Sequence, residues 1–150
     1  MNLTAAPDLP AGLEWLNTDH PLSISELAGR IVLLCFGTFA CSNCMRMVPE
    51  LRRLEEDHPE LVVIEVHTPG FESPAVTGNL QEAIRCAGID YPVAIDRDYL
   101  LWQAFGIRNW PTFVLIDPEG NVLGKTAGEG LYGRLNPRID RIARDFEQRG

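Results

Sequence analysis

Short apolar runs separated by polar turns predict that strands and helices alternate along this chain. The predicted strands are Leu13–Leu16 at an edge, Ile31–Phe36, Leu61–Val66, Tyr91–Asp96, Thr112–Ile116 and Val122–Ala127. Ile31–Phe36 and Leu61–Val66 are apolar on both faces, so we expect them to be central, buried strands. The last two runs flank Asp117-Pro118-Glu119-Gly120, a strong turn signal, and are expected to form an antiparallel hairpin.

In the segments between the predicted strands, apolar residues recur at helical spacing. The predicted helices run from about Ser42 to Asp57, over Leu80–Ala87, over Leu100–Phe105, and from a cap at Asn136 with Pro137 in the first position. In the first of them, the residues expected to face the core are Met45, Val48, Leu51 and Leu54. A single helical turn, Glu26–Ala28, is expected earlier, with Ser25 as its N-cap and Gly29 at its end.

This order of elements is typical of an α/β fold, because strands and helices alternate before a closing hairpin and helix. We expect a three-layer α/β/α sandwich whose mixed sheet has parallel core strands and an antiparallel C-terminal hairpin. A length of 150 residues suits one domain, 1–150, in which residues 1–12 form a loosely held lead-in.

Composition and charge argue against several classes of partner. The chain has 45% hydrophobic and 23% charged residues, as an ordinary globular protein does. Its formal net charge of -8 argues against nucleic acid and against anionic membrane surfaces, because both attract basic patches. The first residues lack the basic start and apolar stretch of a signal peptide, and the longest apolar run has only six residues. We therefore expect a cytoplasmic location.

The segment Cys41-Ser42-Asn43-Cys44 carries the most informative candidate chemistry. Two thiols three positions apart, on the first turn of a helix after a buried strand, can close a small disulfide ring and open it again. Unpaired N–H groups and the helix dipole favour a thiolate there. A closed zinc site would need a second ligand pair at similar spacing, and Cys35, Cys86 and the three histidines provide none. The pair therefore predicts a redox site, with no metal or organic cofactor.

Several motifs together make the chain resemble the thioredoxin-like fold. They are the Cys41–Cys44 segment after a buried strand, Pro49 five residues later, Trp110-Pro111-Thr112 before a strand, and the Asp117–Gly120 turn. The lead-in Leu22–Gly29 and an insertion at about 68–95 resemble the TlpA/ResA-type branch. Leu22–Leu27, Val66–Pro69 and Tyr91–Val93 also resemble the thioredoxin-like domain at the start of NHL-repeat-containing proteins.

This resemblance implies a role for each matching residue. Cys41 would be the nucleophile, Cys44 the resolving thiol, and Pro111 a cis proline that faces the disulfide. Trp110 would offer its backbone to a docked peptide as an edge strand does. The remaining residues expected to face the substrate are Ser42, Asn43 and Thr38. Pro49 would kink the helix that carries the cysteines, because it has no N–H to bond Met45.

The chain departs from the family where the acid–base group is expected. Thioredoxins usually have Trp just before the first cysteine and another three residues earlier, where this chain has Ala40 and Gly37. The family's buried acid, which assists proton transfer to the resolving thiol, matches Cys35. Burial raises the pKa of a thiol, so a cysteine serves poorly in this role. Glu65 on the adjacent strand, or His67 at its end, is the expected substitute.

The function that the resemblance implies is that of a thiol-disulfide oxidoreductase that reduces protein disulfides. Its expected partners are a disulfide-containing protein or a small thiol substrate, with a thioredoxin reductase-like protein or glutathione as electron donor. One alternative is a peroxiredoxin-like peroxidase, since Thr38 lies three residues before Cys41; however, Leu34 stands where that family has proline, and no arginine can be assigned. Another is a redox-sensing docking domain of a larger NHL-repeat protein.

Overall fold

Seven strands are present in the part of the chain that the computed structural model describes, which is residues 3–38, 41–69, 79–127 and 130–149. They are β1 (Thr4–Ala5), β2 (Glu14–Leu16), β3 (Ile31–Gly37), β4 (Leu61–His67), β5 (Val93–Ile95), β6 (Thr112–Ile116) and β7 (Asn121–Ala127). All seven belong to one sheet, in the order β1-β7-β6-β3-β4-β5-β2. Ala40 and the loop of the predicted insertion, at 70–78, lie outside the described residues.

The central strand β3 has one parallel and one antiparallel neighbour. It runs parallel to β4, which in turn runs parallel to β5. On its other side it pairs with β6, the first strand of the antiparallel β6–β7 hairpin. The short strands β1 and β2 close the two edges, both in antiparallel orientation. The predicted mixed sheet, its parallel core strands and its C-terminal hairpin are therefore confirmed.

Helices cover the sheet on both faces. Those in the described residues are α1 (Ser42–Arg46), α2 (Val48–Asp57), α3 (Leu80–Cys86), α4 (Leu100–Ala104) and α5 (Leu131–Arg149). Alternate residues of β3 reach opposite layers: Leu33 packs with residues of α2, α3 and α5, and Leu34 packs with α4 and the N-terminal segment. Burial on both faces explains why β3 is apolar throughout. Among the described helices, none is long and apolar enough to span a membrane.

The single helix predicted from Ser42 to Asp57 is two helices that meet at Met47. Pro49 lies in the first turn of α2, and because it has no N–H it cannot continue the hydrogen-bond ladder of α1. The break also changes which residues face the core. Met47 is buried, whereas the predicted core residue Met45 is only half-buried. Val48, Leu51 and Leu54 are buried as predicted.

The last helix was predicted wrongly at its start. α5 begins at Leu131, and Pro137 lies inside it. Asn136 is not an N-cap; its Oδ1 accepts a hydrogen bond from Nε2 of the buried His58 at 2.6 Å. Leu131 and Leu135 are buried, so the turn before Pro137 is held by the core in spite of the proline.

The predicted helical turn before β3 is also different in the structure. Residues 24–29 form a series of turns, not a helix. Ser23 takes the capping role assigned to Ser25, because its Oγ accepts from the backbone N–H of Glu26 at 3.1 Å. Ser25 Oγ instead donates to a carboxylate oxygen of Asp8 at 3.2 Å. Gly29 does end the segment, with a positive φ of 91°.

Replacing Pro137 by alanine tests its interior position in α5. An interior proline costs a helix about 3 kcal/mol, because its N–H is missing and its ring clashes with the preceding turn. Alanine also gives the unfolded chain more freedom, which offsets about 0.4–1 kcal/mol of that gain. We expect Pro137→Ala to raise the free energy of unfolding by roughly 2 kcal/mol in urea denaturation.

The matched control is Pro49→Ala, since Pro49 lies in the first turn of α2. There the missing N–H lies at the junction with α1 and removes no hydrogen bond within α2, so the free energy of unfolding should change by less than about 1 kcal/mol. A Pro137→Ala variant no more stable than the wild type would contradict a helix that continues through this residue.

Candidate active site

Cys41 lies at the start of α1, where the chain leaves the end of β3. It is the N-cap residue, with an extended backbone (φ -105°, ψ 109°), and its Sγ accepts the backbone N–H of Cys44 at 3.3 Å. Its own N–H donates to the carbonyl of Thr38 at 3.2 Å. The side chain is half-buried. Cys41 therefore presents a reachable sulfur whose negative charge an N–H group can stabilise.

Cys44 lies below Cys41 and faces the sheet. Only 6% of its surface is exposed. Burial raises the pKa of the Cys44 thiol well above its ordinary value, and the hydrogen bond with Cys41 and the negative charge of Glu65 raise it further. A backbone hydrogen bond with Thr38 opposes these effects. At neutral pH Cys44 is thus a protonated thiol that needs a base before it can attack.

Gly37 provides the space in which Cys44 meets the sheet. A Cβ added to Gly37 would lie 3.4 Å from both Cβ and Sγ of Cys44, and 3.9 Å from Oε1 of Glu65. A side chain larger than a methyl group at this position would therefore crowd both the thiol and the carboxylate. In the sequence, Gly37 stands out only as a departure from the family pattern. A glycine that ends a buried strand just before two cysteines was the signal for close approach.

The three predicted acid–base candidates lie on two neighbouring strands. Cys35 pairs with Glu65, and Gly37 pairs with His67, in the parallel register of β3 and β4. All three candidates are buried. Burial raises the pKa of the Cys35 thiol well above its ordinary value, and Glu65 adds to this increase. Cys35 therefore stays neutral in the core, and Glu65 is the candidate with an oxygen near the point beside Gly37 that the Cys44 sulfur also approaches.

Trp110 and Pro111 lie at the same end of the sheet as the cysteines. The peptide bond between them is cis, as predicted. Phe36 pairs with Thr112, so the antiparallel register brings Pro111 beside Gly37. The half-buried Trp110 ring donates through Nε1 to Thr68 Oγ1 at 3.0 Å, and its centroid lies 5.1 Å from that of Trp102. No short sequence motif joins Trp102 and Trp110, so their contact could not be predicted from the sequence.

The other predicted substrate-facing residues differ in exposure. Ser42 and Asn43 are exposed on the first turn of α1, and Asn43 Oδ1 accepts a hydrogen bond from Arg46 at 3.2 Å. Thr38 is only 1% exposed. Its backbone carbonyl accepts the N–H of Cys41, so Thr38 contacts the turn that carries the two cysteines. In the described part of the chain, no group of three or more His, Cys, Asp or Glu side chains could hold a metal ion.

Comparisons with known proteins agree with this fold. A family model described as thioredoxin-like matches residues 29–122. NHL repeat-containing protein 2 of Homo sapiens is 39% identical over 135 residues, which are 87% of this chain but 19% of that protein. This chain thus spans about a fifth of that relative's length. Thiol-disulfide oxidoreductase YkuV of Bacillus subtilis is 25% identical over 143 residues, 94% of this chain and 95% of that protein.

Among solved structures, the crystal structure of a thioredoxin-like superfamily protein superposes with a TM-score of 0.84 at 21% identity, covering 93% of this chain and 96% of that one. The predicted resemblances to the TlpA/ResA-type branch and to the NHL-repeat proteins are confirmed, since ResA is also among the relatives. The family model covers more than half of the chain. The chain therefore belongs to the thioredoxin-like family, and its relatives there include proteins named thiol-disulfide oxidoreductases.

Proposed function

We propose that this chain is a thiol-disulfide oxidoreductase domain that reduces disulfide bonds of proteins in a reducing, cytoplasmic environment. The observation that carries the proposal is a pair of neighbouring thiols that differ in exposure to solvent. The half-buried Cys41 sulfur accepts the N–H of the buried Cys44, at the start of a helix. One thiol is thus reachable and the other is shielded, as a two-step exchange requires. Relatives named thiol-disulfide oxidoreductases support this reading.

In the first step the Cys41 thiolate attacks one sulfur of a substrate disulfide. A bond forms between Cys41 and that sulfur, the substrate S–S bond breaks, and the second substrate sulfur leaves as a thiolate that takes a proton from solvent. The N–H of Cys44, 3.3 Å from Cys41 Sγ, stabilises the attacking charge before the reaction.

In the second step Cys44 resolves the mixed disulfide. Its thiol proton passes to the Glu65 carboxylate, whose Oε1 approaches the same point beside Gly37 as the Cys44 sulfur. The Cys44 sulfur then attacks Cys41, and the substrate leaves reduced. The domain retains the Cys41–Cys44 disulfide, which an electron donor such as glutathione or a thioredoxin reductase-like protein reduces again.

The substrate lies, in this proposal, along the end of the sheet beside the cysteines. Pro111 faces the Cys41–Cys44 pair, and the backbone of Trp110 pairs with an extended substrate segment. The contact between Trp110 Nε1 and Thr68 supports this role, because it fixes the ring against the end of β4. Ser42 and Asn43 are exposed next to the reactive sulfur, and Thr38 holds the N–H of Cys41.

Cysteine variants test the order of the two attacks. We expect Cys41→Ser to abolish reduction of insulin, because no nucleophile reaches the substrate. Cys44→Ser should instead accumulate a mixed disulfide at Cys41, detected by mass spectrometry under non-reducing conditions, because the resolving thiol is missing. A mixed disulfide that accumulates in the Cys41 variant would reverse the two roles.

Replacing Glu65 by glutamine tests the proton acceptor. We expect the resolution step, followed by stopped flow with a preformed mixed disulfide, to slow about 10²-fold at pH 7, since a positioned base typically contributes that much. The loss should shrink as the pH rises, because hydroxide then deprotonates Cys44. Glutamine also removes a negative charge that raises the pKa of Cys44. The Cys44 thiol of the variant therefore deprotonates more readily as the pH rises, which helps its resolution rate to recover.

His67→Gln and Cys35→Ala separate Glu65 from the other two candidates. Each should retain a resolution rate within a few-fold of the wild type. If His67→Gln shows the pH-dependent loss and Glu65→Gln does not, the base is His67.

The reduction potential of the Cys41–Cys44 pair tests the direction of the reaction. Equilibration with glutathione buffers and counting of free thiols should give a value near that of thioredoxin, roughly −270 mV. A value towards about −120 mV would indicate an oxidant or a sensor, and would favour a redox-sensing domain of a larger protein. Consumption of hydrogen peroxide at a catalytic rate would instead favour a peroxidase.

A further inference from the structure

Aromatic contacts fix the ring of Trp110 against the end of β4. Its Nε1 donates to Thr68 Oγ1 at 3.0 Å, and its centroid lies 5.1 Å from that of Trp102. The ring of Tyr99 meets Trp102 edge-on, with the two centroids 6.0 Å apart, and the Tyr99 hydroxyl donates to the carbonyl of Pro69 at 2.9 Å. The protein itself therefore fills the β4 side of Trp110.

On the β7 side, the same loop borders an open groove with a volume of about 270 Å³. The loop between α4 and β6 and the end of β7 form its walls, which consist of 106–109, Thr112 and 125–127. Thr112 pairs with Phe36 of β3 on one side and with Ala127 of β7 on the other. Since neighbouring strands lie about 4.8 Å apart, the groove begins within about 10 Å of the end of β3, next to the cis proline Pro111.

This groove is positively charged, although the chain has a formal net charge of -8. Arg108 and Lys125 line it, and none of the described residues that line it is acidic. The Lys125 amine donates to the carbonyl of Phe105 and lies 3.4 Å from the point that a Cβ on Gly106 would occupy, so its charge is held at the wall. Arg108 is exposed, and within the described part of the chain it forms no ion pair.

Several exposed arginines elsewhere are paired with an acidic side chain. These pairs are Arg52 with Asp90, Arg85 with Glu82, Arg97 with Glu14 and Arg149 with Glu119. Arg108 differs from them, because its guanidinium has no such partner among the described residues and it lies three positions before Pro111. Its charge is therefore available to a molecule that binds beside the cysteines.

We propose that this groove selects substrates in which an acidic side chain lies a few residues from the reactive disulfide, and that Arg108 determines this preference. The inference rests on the proposed function, because an extended substrate segment has to pair with the backbone of Trp110. Extended residues advance about 3.3 Å each, so a segment whose cysteine lies beside Pro111 reaches the groove within about two to four residues. A carboxylate there accepts two parallel hydrogen bonds from the guanidinium.

The charge of the whole chain makes such a preference diagnostic. A net charge of -8 repels acidic peptides and attracts basic ones, unless a local contact outweighs the long-range field. Salt at about 0.1 M screens exposed charges that are more than about 10 Å apart, whereas a direct contact with Arg108 acts at shorter range. A faster reaction of an acidic peptide therefore requires a local positive site.

Peptide disulfides that differ in one charge test the proposal. Each is the symmetric disulfide of a short peptide with one cysteine, and Glu, Gln or Lys stands about three residues from that cysteine on either side. Reduced protein is mixed with each peptide and quenched with acid, and the fraction that carries the Cys41–Cys44 disulfide is counted by mass spectrometry. We expect the Glu peptide to react about 2- to 5-fold faster than the Gln peptide, as an exposed ion pair allows, and the Lys peptide to be slowest.

Arg108→Gln should remove most of this preference, and Arg108→Glu should invert it, so that the Lys peptide becomes the fastest. Arg144→Gln and Arg144→Glu are the matched controls. Arg144 is exposed and belongs to the last turns of α5, where Arg149 contacts Glu119 of the β6–β7 turn, away from the cysteines. The same change of charge there should leave the order of the peptides unchanged. Uncharged 2-hydroxyethyl disulfide should oxidise every variant at the wild-type rate, since the reactivity of Cys41 is not altered.

The outcomes separate this inference from the proposed function. Equal rates for the three peptides, or a slower reaction of the Glu peptide, would refute the groove as a specificity site and leave the oxidoreductase in place. A preference that persists in both Arg108 variants would refute the role of Arg108. If Arg108→Gln slows oxidation by glutathione disulfide but leaves the peptide preference unchanged, the groove binds the carboxylates of glutathione, which overturns the proposal. Failure of every disulfide to oxidise the wild type would refute the proposed function itself.

Discussion

The burial of the Cys44 thiol is the constraint on which the rest of the site depends. A sulfur that faces the core is hidden from bulk solvent, so it attacks only the neighbour that α1 holds above it, Cys41. The same burial penalises the thiolate, because a charge loses its hydration there. The site therefore needs a group that takes the proton inside the protein. Glu65, whose Oε1 approaches the same point beside Gly37 as the Cys44 sulfur, is the side chain with that chemistry.

Burial of a carboxylate in the middle of a sheet costs free energy, so the surroundings of Glu65 matter. Glu65 lies on β4 and pairs with Cys35 of the central strand. The position that holds an acid in the family is thus a neutral thiol here, while the neighbouring strand supplies the carboxylate. Two buried acids side by side would repel each other, so one acid with one neutral sulfur is the less costly arrangement.

Most of the fold was predictable because its signals are local. β3 and β4 are apolar on both faces, and the β6–β7 hairpin has a four-residue turn signal between its strands. The errors in the longer helices occurred at prolines. Asn136-Pro137 is a common helix start, yet α5 continues through it, because Leu131 and Leu135 are buried and outweigh the missing hydrogen bond. Pro49 was expected to bend one helix and instead separates two.

The sequence by itself determined the order of elements, the redox pair Cys41–Cys44 and the residues able to act as acid or base, since these follow from residue type and spacing. Only the tertiary structure decided which of those residues meet. The register of β3 against β4 and the missing side chain at Gly37 bring together positions far apart in the chain. Such contacts depend on strand pairing over long distances, and no local pattern of residues encodes them.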